Sequence, residues 1–396
     1  MKETKFKSSL LHPIPEDWVD GVFGDFLTTF SSGATPYRGV PSNFVGKIPW
    51  ISSGELNYNC IVDTNEHISK DAQRKTHLTL HQTGTFLMAI TGLEAAGTRG
   101  RCAFVGTPAT TNQSCLAINS TDKMTVEYLF WFYRYWSDYL AFNYSQGSKQ
   151  QSFTAKIAKK LPIYAPKELQ EQKAIAEALT DIDELIKGLD EWIAKKKAIL
   201  EGTMQELLSG KRRLPGFSEP WEIKNILADC TIKTGKIDAN HAVDYGQFPF
   251  FTCDAIPKRI DEYAFDQEAV LISGNGSRLG HISYYNGKFN AYQRTYVIGP
   301  FDDEIITTYR VQILKFAFRD YIQTVCKASS IPFITLPVLN EYVYSVPSDK
   351  DEQKAIATVL SDMDAEIAEL EAKREKYVAI RQGMMQQLLT GKIRLI

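Results

Sequence analysis

Along residues 171–214 apolar positions recur at alternating steps of four and three: Ile175, Leu179, Ile182, Ile186, Leu189 and Ile193, then Leu200 and Leu207. The opposite face is Lys, Glu and Asp. This spacing predicts one long helix with a narrow apolar seam that a second helix must cover. The stretch returns without a gap at residues 352–395, its first residues Glu171 and Glu352 lying 181 positions apart, with about half of the paired positions identical. The second seam is Ile356, Leu360, Met363, Ile367, Leu370, Tyr377, Met384 and Leu388. Lys196 and Thr203 interrupt the first seam, Arg374 and Arg381 the second; such defects favour pairing of the two copies in one register.

The segments before the helices follow another pattern. Residues 1–165 carry a turn cluster at 31–36 around Gly33, then short β-rich runs at 47–52, 85–90, 101–105 and 114–118. An aromatic stretch at 126–144 is apolar at helical spacing, and 148–153 is polar and loop-like. Residues 215–346 repeat this outline with little identity. Residues 217–221 answer the start at 15–18, KTGK at 233–236 answers the Gly33 turn, and FPFFT at 248–252 answers KIPWIS at 47–52. AVLIS at 269–273 leads into a glycine-rich turn, and YQRTYVI at 292–298 stands where NQSCLAI stands at 112–118. Residues 328–330 and Pro332-Phe333 take the place of 148–153.

The predicted fold is α+β. Two similar mixed domains, 1–165 and 215–346, are separated by long helices, 166–214 and 347–396, that pair as an antiparallel coiled coil in an internal repeat. At ~1.5 Å per residue each helix spans roughly 60 Å. The helices share side chains while the globular halves share only an outline, so something common binds the helices and something different binds each half.

The 396 residues, 44% hydrophobic and 12% aromatic, suffice for more than one core. No run of about 18 apolar residues occurs, and MKETKFKSSLLHPIPEDW lacks the apolar centre of a signal peptide, so a cytoplasmic location without membrane contact is expected. Cys60, Cys102, Cys115, Cys230, Cys253 and Cys326 form no CxxC pair and read as reduced thiols. The net charge is −2; residues 1–165 carry 16 Lys and Arg against 13 Asp and Glu, residues 215–346 carry 12 against 15. This balance is not that of a simple nucleic-acid binder: any DNA contact must come from local patches, and would be weak for the chain alone.

EQKAIA at 171–176 and 352–357, with MQELLSGKRRL at 204–214 and MQQLLTGKIRL at 385–395, each preceded by Gly202 or Gly383, resembles the specificity subunit of type I restriction–modification enzymes over essentially the whole chain. The resemblance implies a non-catalytic subunit in which each globular domain recognises one half of a bipartite double-stranded DNA target. The helices would set the spacer and dock two adenine methyltransferase (modification) subunits. Restriction subunits, carrying motor and nuclease, would join for cleavage. It implies no cofactor on this chain, S-adenosylmethionine on the modification partner, and ATP and Mg on the restriction partner. The helical-motif residues marked for partner binding are Glu171, Gln172, Ile175, Leu207, Leu208 and Gly210, with Glu352, Gln353, Ile356, Leu388, Leu389 and Gly391.

Base edges are read by Arg, Lys, Asn and Gln on loops, with Ser, Thr and backbone amides on phosphates. Pairing loops across the halves selects Thr98, Arg99, Arg101, Asn112, Gln113, Ser148, Lys149, Gln150 and Gln151 in the first. In the second it selects Asn275, Ser277, Arg278, Gln293, Arg294, Lys327, Ser329 and Ser330. Other signals are weaker. The run 274–280 lacks dinucleotide-loop spacing and reads as a turn. His77 and His81 sit in a strand-like alternation with no third ligand, so no metal site is assigned. Lys195–Lys197 and Lys211–Arg213 read as solvated helix faces. The chain has no Pro-Pro, against a fused adenine methyltransferase, and Asp261-Glu262 and Asp302-Asp303-Glu304 sit in loop-like settings unlike a nuclease centre. The alternative reading is a coiled-coil scaffold whose globular domains bind proteins.

Overall fold

The computed structural model describes residues 5–147, 149–226, 230–302, 304–325 and 333–395. They form two compact units, one of Met1–Gly188 with Arg374–Ile396 and one of Leu189–Lys373.

In the first unit the main sheet runs in the order Thr28–Ser32, Cys115–Asn119, Phe86–Ala89, Cys102–Val105, Cys60–Ile61. All neighbours are antiparallel except the last pair. Phe86 and Met88 join the core around the helix Val126–Tyr144, while Leu87 and Ala89 join Ile51, Ala103, Cys115 and Ala117 on the other face. A strand covered on both faces needs the unbroken apolar run that TFLMAI supplies. The Thr125 hydroxyl caps the helix, accepting from the Tyr128 N–H at 3.2 Å.

The second unit repeats the first four places of this order with other side chains, Cys230–Thr234, Thr295–Phe301, Phe265–Ser273 and Ile282–Ala291, and continues with Phe248–Phe251 and Lys258–Ile260. Val270 and Ile272 face one core, Ala269 and Leu271 the other. The matched runs are topological equivalents. Trp50 and Ile51 pair in parallel with Thr110 and Thr111, and Phe250 and Phe251 pair in parallel with Asn290 and Ala291. Gly33 and Gly235 both lie so close to that strand that a Cβ would fall 1.7 Å from the Thr111 carbonyl oxygen and 1.8 Å from that of Ala291. The helices differ. Val126–Tyr144 is continuous, whereas Thr307–Ile313 passes through a π-helical turn, Leu314–Phe318, before Arg319–Val325.

Two long helices, Leu169–Leu207 and Lys350–Leu388, contribute one part of each to both units. In the first unit Ile175 and Leu179 share a core with Met385, Leu388 and Leu389. In the second, Leu207 and Leu208 share one with Ile356, Ala357 and Leu360. In each unit early residues of one helix meet late residues of the other, so the pairing is antiparallel. Two of the seam defects are ion pairs, Arg381 with Asp183 and Lys196 with Glu366, the latter at 2.7 Å. Thr203 donates to the Ile199 carbonyl and Arg374 pairs with its neighbour Glu375.

The five described cysteines are free. Burial pushes the Cys102 and Cys115 thiols well above their usual range, which leaves them unreactive. Cys326 lies outside the described residues.

Candidate nucleic-acid interface

The repeated motif residues turn inward. Gln172 is fully buried: its Oε1 accepts from the Thr125 N–H at 2.9 Å, and its Nε2 donates to the carbonyls of Pro166 at 2.9 Å and Lys123 at 3.0 Å. Gln353 does the same in the second unit, with the Ile306 N–H and the Pro347 carbonyl, each at 2.9 Å. The motif glutamine thus satisfies the amide at the start of the helix preceding it and ties sheet to long helix.

Its neighbour Glu171, also buried, is held by a bidentate Arg394, whose guanidinium pairs with Asp17 at 2.8 Å and lies 5.8 Å over the Trp18 ring. These carboxylates raise the Arg394 pKa, and Arg394 in turn lowers that of Asp17. In the second unit Arg213 grips the buried Glu352 and lies 5.7 Å over Trp221. Each pair joins the start of one motif copy to the end of the other. Gly210 and Gly391, at φ +69° and +68°, end the helices in the left-handed conformation, and the amides of Arg212 and Ile393 close the turn onto the carbonyls of Glu206 and Gln387. Ile175, Leu207, Leu208, Ile356, Leu388 and Leu389 are core residues. Of this set of twelve marked for partner binding, eleven are buried and Gly210 is half-buried, so they pack within each unit. The sequence marked the tryptophans at 18 and 221 only as equivalent starts; their stacking on the motif arginines needed the fold.

The recognition candidates group on turns at corresponding places in the two sheets. In the first unit Thr98, Arg99 and Arg101 lie between strands Phe86–Ala89 and Cys102–Val105. Arg99 Nε pairs with Asp138 at 2.6 Å and its guanidinium covers Phe142 at 4.4 Å, leaving 12% of the side chain exposed. Arg101 is tied to the carbonyls of Gly97 and Gly54. Lys149 and Gln150 are exposed, and the Gln151 backbone N–H donates to the Glu94 carboxylate at 2.8 Å, which draws this loop against the Arg99 turn. Asn112 accepts from the Ser114 N–H, and the exposed Gln113 accepts from the Thr35 hydroxyl at 2.6 Å.

In the second unit Asn275 is half-buried, while Ser277, Arg278, Gln293 and Arg294 are exposed. The two turns adjoin: the Gly274 N–H donates to the Arg294 carbonyl at 2.8 Å. Gln293 Nε2 reaches Asp238 at 3.4 Å. Gln113 and Gln293 therefore occupy one topological position, each linked to the segment after the first sheet strand. Ser148, Lys327, Ser329 and Ser330 lie outside the described residues. Thr35 and Asp238, the partners of Gln113 and Gln293, had no signal without the sheet order. His81 is buried beside Ala109 with its pKa lowered by desolvation, and among the described residues no group of His, Cys, Asp or Glu could hold a metal ion.

A family model, the type I restriction modification DNA specificity domain, matches the chain twice, over residues 15–195 and 218–378. The chain belongs to this family. The EcoDI specificity subunit of Escherichia coli is 38% identical over 173 residues, covering 43% of this chain and 37% of that subunit. The MjaIX specificity subunit of Methanocaldococcus jannaschii is 22% identical over 99% of this chain and 97% of its own length. The crystal structure of the type I restriction–modification S subunit from M. genitalium superimposes with a TM-score of 0.68 at 16% identity, over 97% of this chain and 98% of that one, and shows the same fold. As a type I specificity subunit the chain recognises DNA sequence and is not an enzyme. Among the described residues no helix is long and apolar enough to cross a membrane.

Proposed function

We propose that the domains 1–165 and 215–346 of this specificity subunit each read one half of a bipartite double-stranded DNA target, from the turns bearing Gln113 and Gln293. The helical regions 166–214 and 347–396 set the unread spacer, as half-site readers on a fixed scaffold require. The observation that carries this is one strand order used twice, with a glutamine-bearing turn at the same place in each sheet and different side chains around it. Two modification subunits dock on the helices through outward residues instead of the buried motif. Among the exposed apolar positions of the helices, Ile199 and Ile380, 45% and 39% exposed, are a repeat-related pair, one in each unit. S-adenosylmethionine belongs to those partners, ATP and Mg to restriction subunits, and the assembly is cytoplasmic.

Replacing residues 215–346 by the matching domain of a relative, followed by mapping of methylated adenines genome-wide, tests the reading. One half of a split motif should change and the other persist. A change in both halves, or in neither, refutes modular recognition.

A further inference from the structure

In the second unit the turn after Phe265–Ser273 and the π-helical turn Leu314–Phe318 border a cleft of about 440 Å³ that includes Ser277, Arg278, His281 and Lys315. A π-turn re-aims the side chains of a helix and is frequent at functional sites. Here it carries Lys315, 43% exposed, to the cleft. Gly276 and Gly280, at φ +82° and +77°, let the opposing turn fold back with Arg278 exposed. The one acid near Lys315 among the described residues is Asp364, at 3.9 Å, which also accepts from Gln312. Burial, then Arg278 and Lys315, hold His281 below the usual imidazole range.

At the same repeat position the first unit has Arg134, and there the charge is consumed. Arg134 pairs with Asp183 at 3.1 Å, lies 4.4 Å over Tyr58 and 4.9 Å over Trp131, and is 14% exposed. The turn arginine beside it, Arg99, is spent on Asp138 and Phe142. The repeat-equivalent pair of the second unit, Lys315 with Asp364, is longer at 3.9 Å and leaves the lysine 43% exposed, so the scaffold is closed on its own charges in one unit and open in the other.

We propose that the Arg278–Lys315 cleft seats one backbone phosphate of the DNA, with Ser277 and His281 as hydrogen-bond donors, and that the first unit has no counterpart. The inference rests on the DNA-recognition reading and adds a positioning contact, not a base contact: phosphate contacts fix register without carrying sequence.

The test uses the complex with its modification partner, a labelled bipartite duplex, and affinity measured across salt. Neutralising one phosphate contributes about 0.9 to the slope of log K against log salt. Lys315→Ala should weaken binding and flatten the slope by about that amount, with the melting temperature kept, whereas Lys315→Arg should retain the slope. Methylphosphonate placed at single positions across the half-site should weaken the wild-type complex at one of them and leave Lys315→Ala indifferent there. If the wild type binds steeply and Lys315→Ala keeps its slope, or stays sensitive at that position, the cleft assignment is overturned and the recognition reading stands. If the wild-type complex binds no DNA, the recognition reading itself fails and the cleft assignment falls with it.

Discussion

Arg394→Ala tests how the repeated motif holds the first unit. The substitution removes a bidentate partner from the buried Glu171, a second from Asp17, and the cation stacked on Trp18. Stranding a buried carboxylate costs about 3–5 kcal/mol. Because the Arg394 side chain is 22% exposed, water enters the vacated place and about 2–4 kcal/mol is the better expectation. The lost contact with Trp18 adds about 0.5–1 kcal/mol. For a unit of this size the urea dependence is about 2–3 kcal/mol per molar, so the midpoint of the first unit should fall by about 1–2.5 M. Urea unfolding followed by hydrogen exchange at amides near Trp18 and Glu171 reads that unit. The cost comes from an unpaired buried charge, so Glu171→Gln combined with Arg394→Met should be more stable than Arg394→Ala alone. Arg213→Ala should produce a loss of similar size in the second unit. A midpoint unchanged in Arg394→Ala, or additive losses in the double variant, would refute the argument.

Three other outcomes are expected. Gly391→Ala should lower thermal stability more than Gly210→Ala. Both glycines have positive φ, but a Cβ at 391 would stand 2.4 Å from Pro15 Cγ while one at 210 has 3.5 Å to Trp221, so equal melting temperatures would contradict the geometry. Gln172→Leu should cost about 2–4 kcal/mol by leaving the Thr125 amide and two carbonyls unsatisfied, read by denaturant unfolding, with Gln353→Leu doing the same in the second unit. Burial lowers the His81 pKa in the fold, so below about 6.5 the unfolded chain binds the extra proton first and stability falls as pH drops. Urea midpoints at pH 7.5 and 5.5 should draw closer together in His81→Gln; an unchanged gap assigns the pH dependence elsewhere.

Periodicity was enough to place the inward residues of both long helices. Ile175, Leu179, Ile186, Ile356, Leu360 and Ile367 are buried as the seam predicts, and the defects Lys196 and Arg381 meet acids on the partner helix. The outline shared by the two halves was equally readable, down to Gly33 and its equivalent in KTGK. What periodicity does not encode is the partner. Glu171 and Arg394 are 223 residues apart, and nothing in either motif copy indicates that its glutamate belongs to the arginine of the other. The recognition turns were located by type, but Arg99 is drawn onto Asp138 by a neighbouring helix whose placement only the fold supplies. Lys315 escaped notice because it stands inside a helical pattern, where a π-turn leaves no mark in the spacing of apolar residues.

The division of the chain between units also sets an order in time. The second unit is contiguous, Leu189–Lys373, whereas the first takes its helix partner, with Met385, Leu388, Leu389 and Arg394, from beyond that stretch. Domains ordinarily complete in the order in which the ribosome makes them. Here the earlier half waits for the later one: a nascent chain that has not passed Leu389 has a first unit open along one side of its core. Closure of the first unit is thus a record that translation has gone past the second.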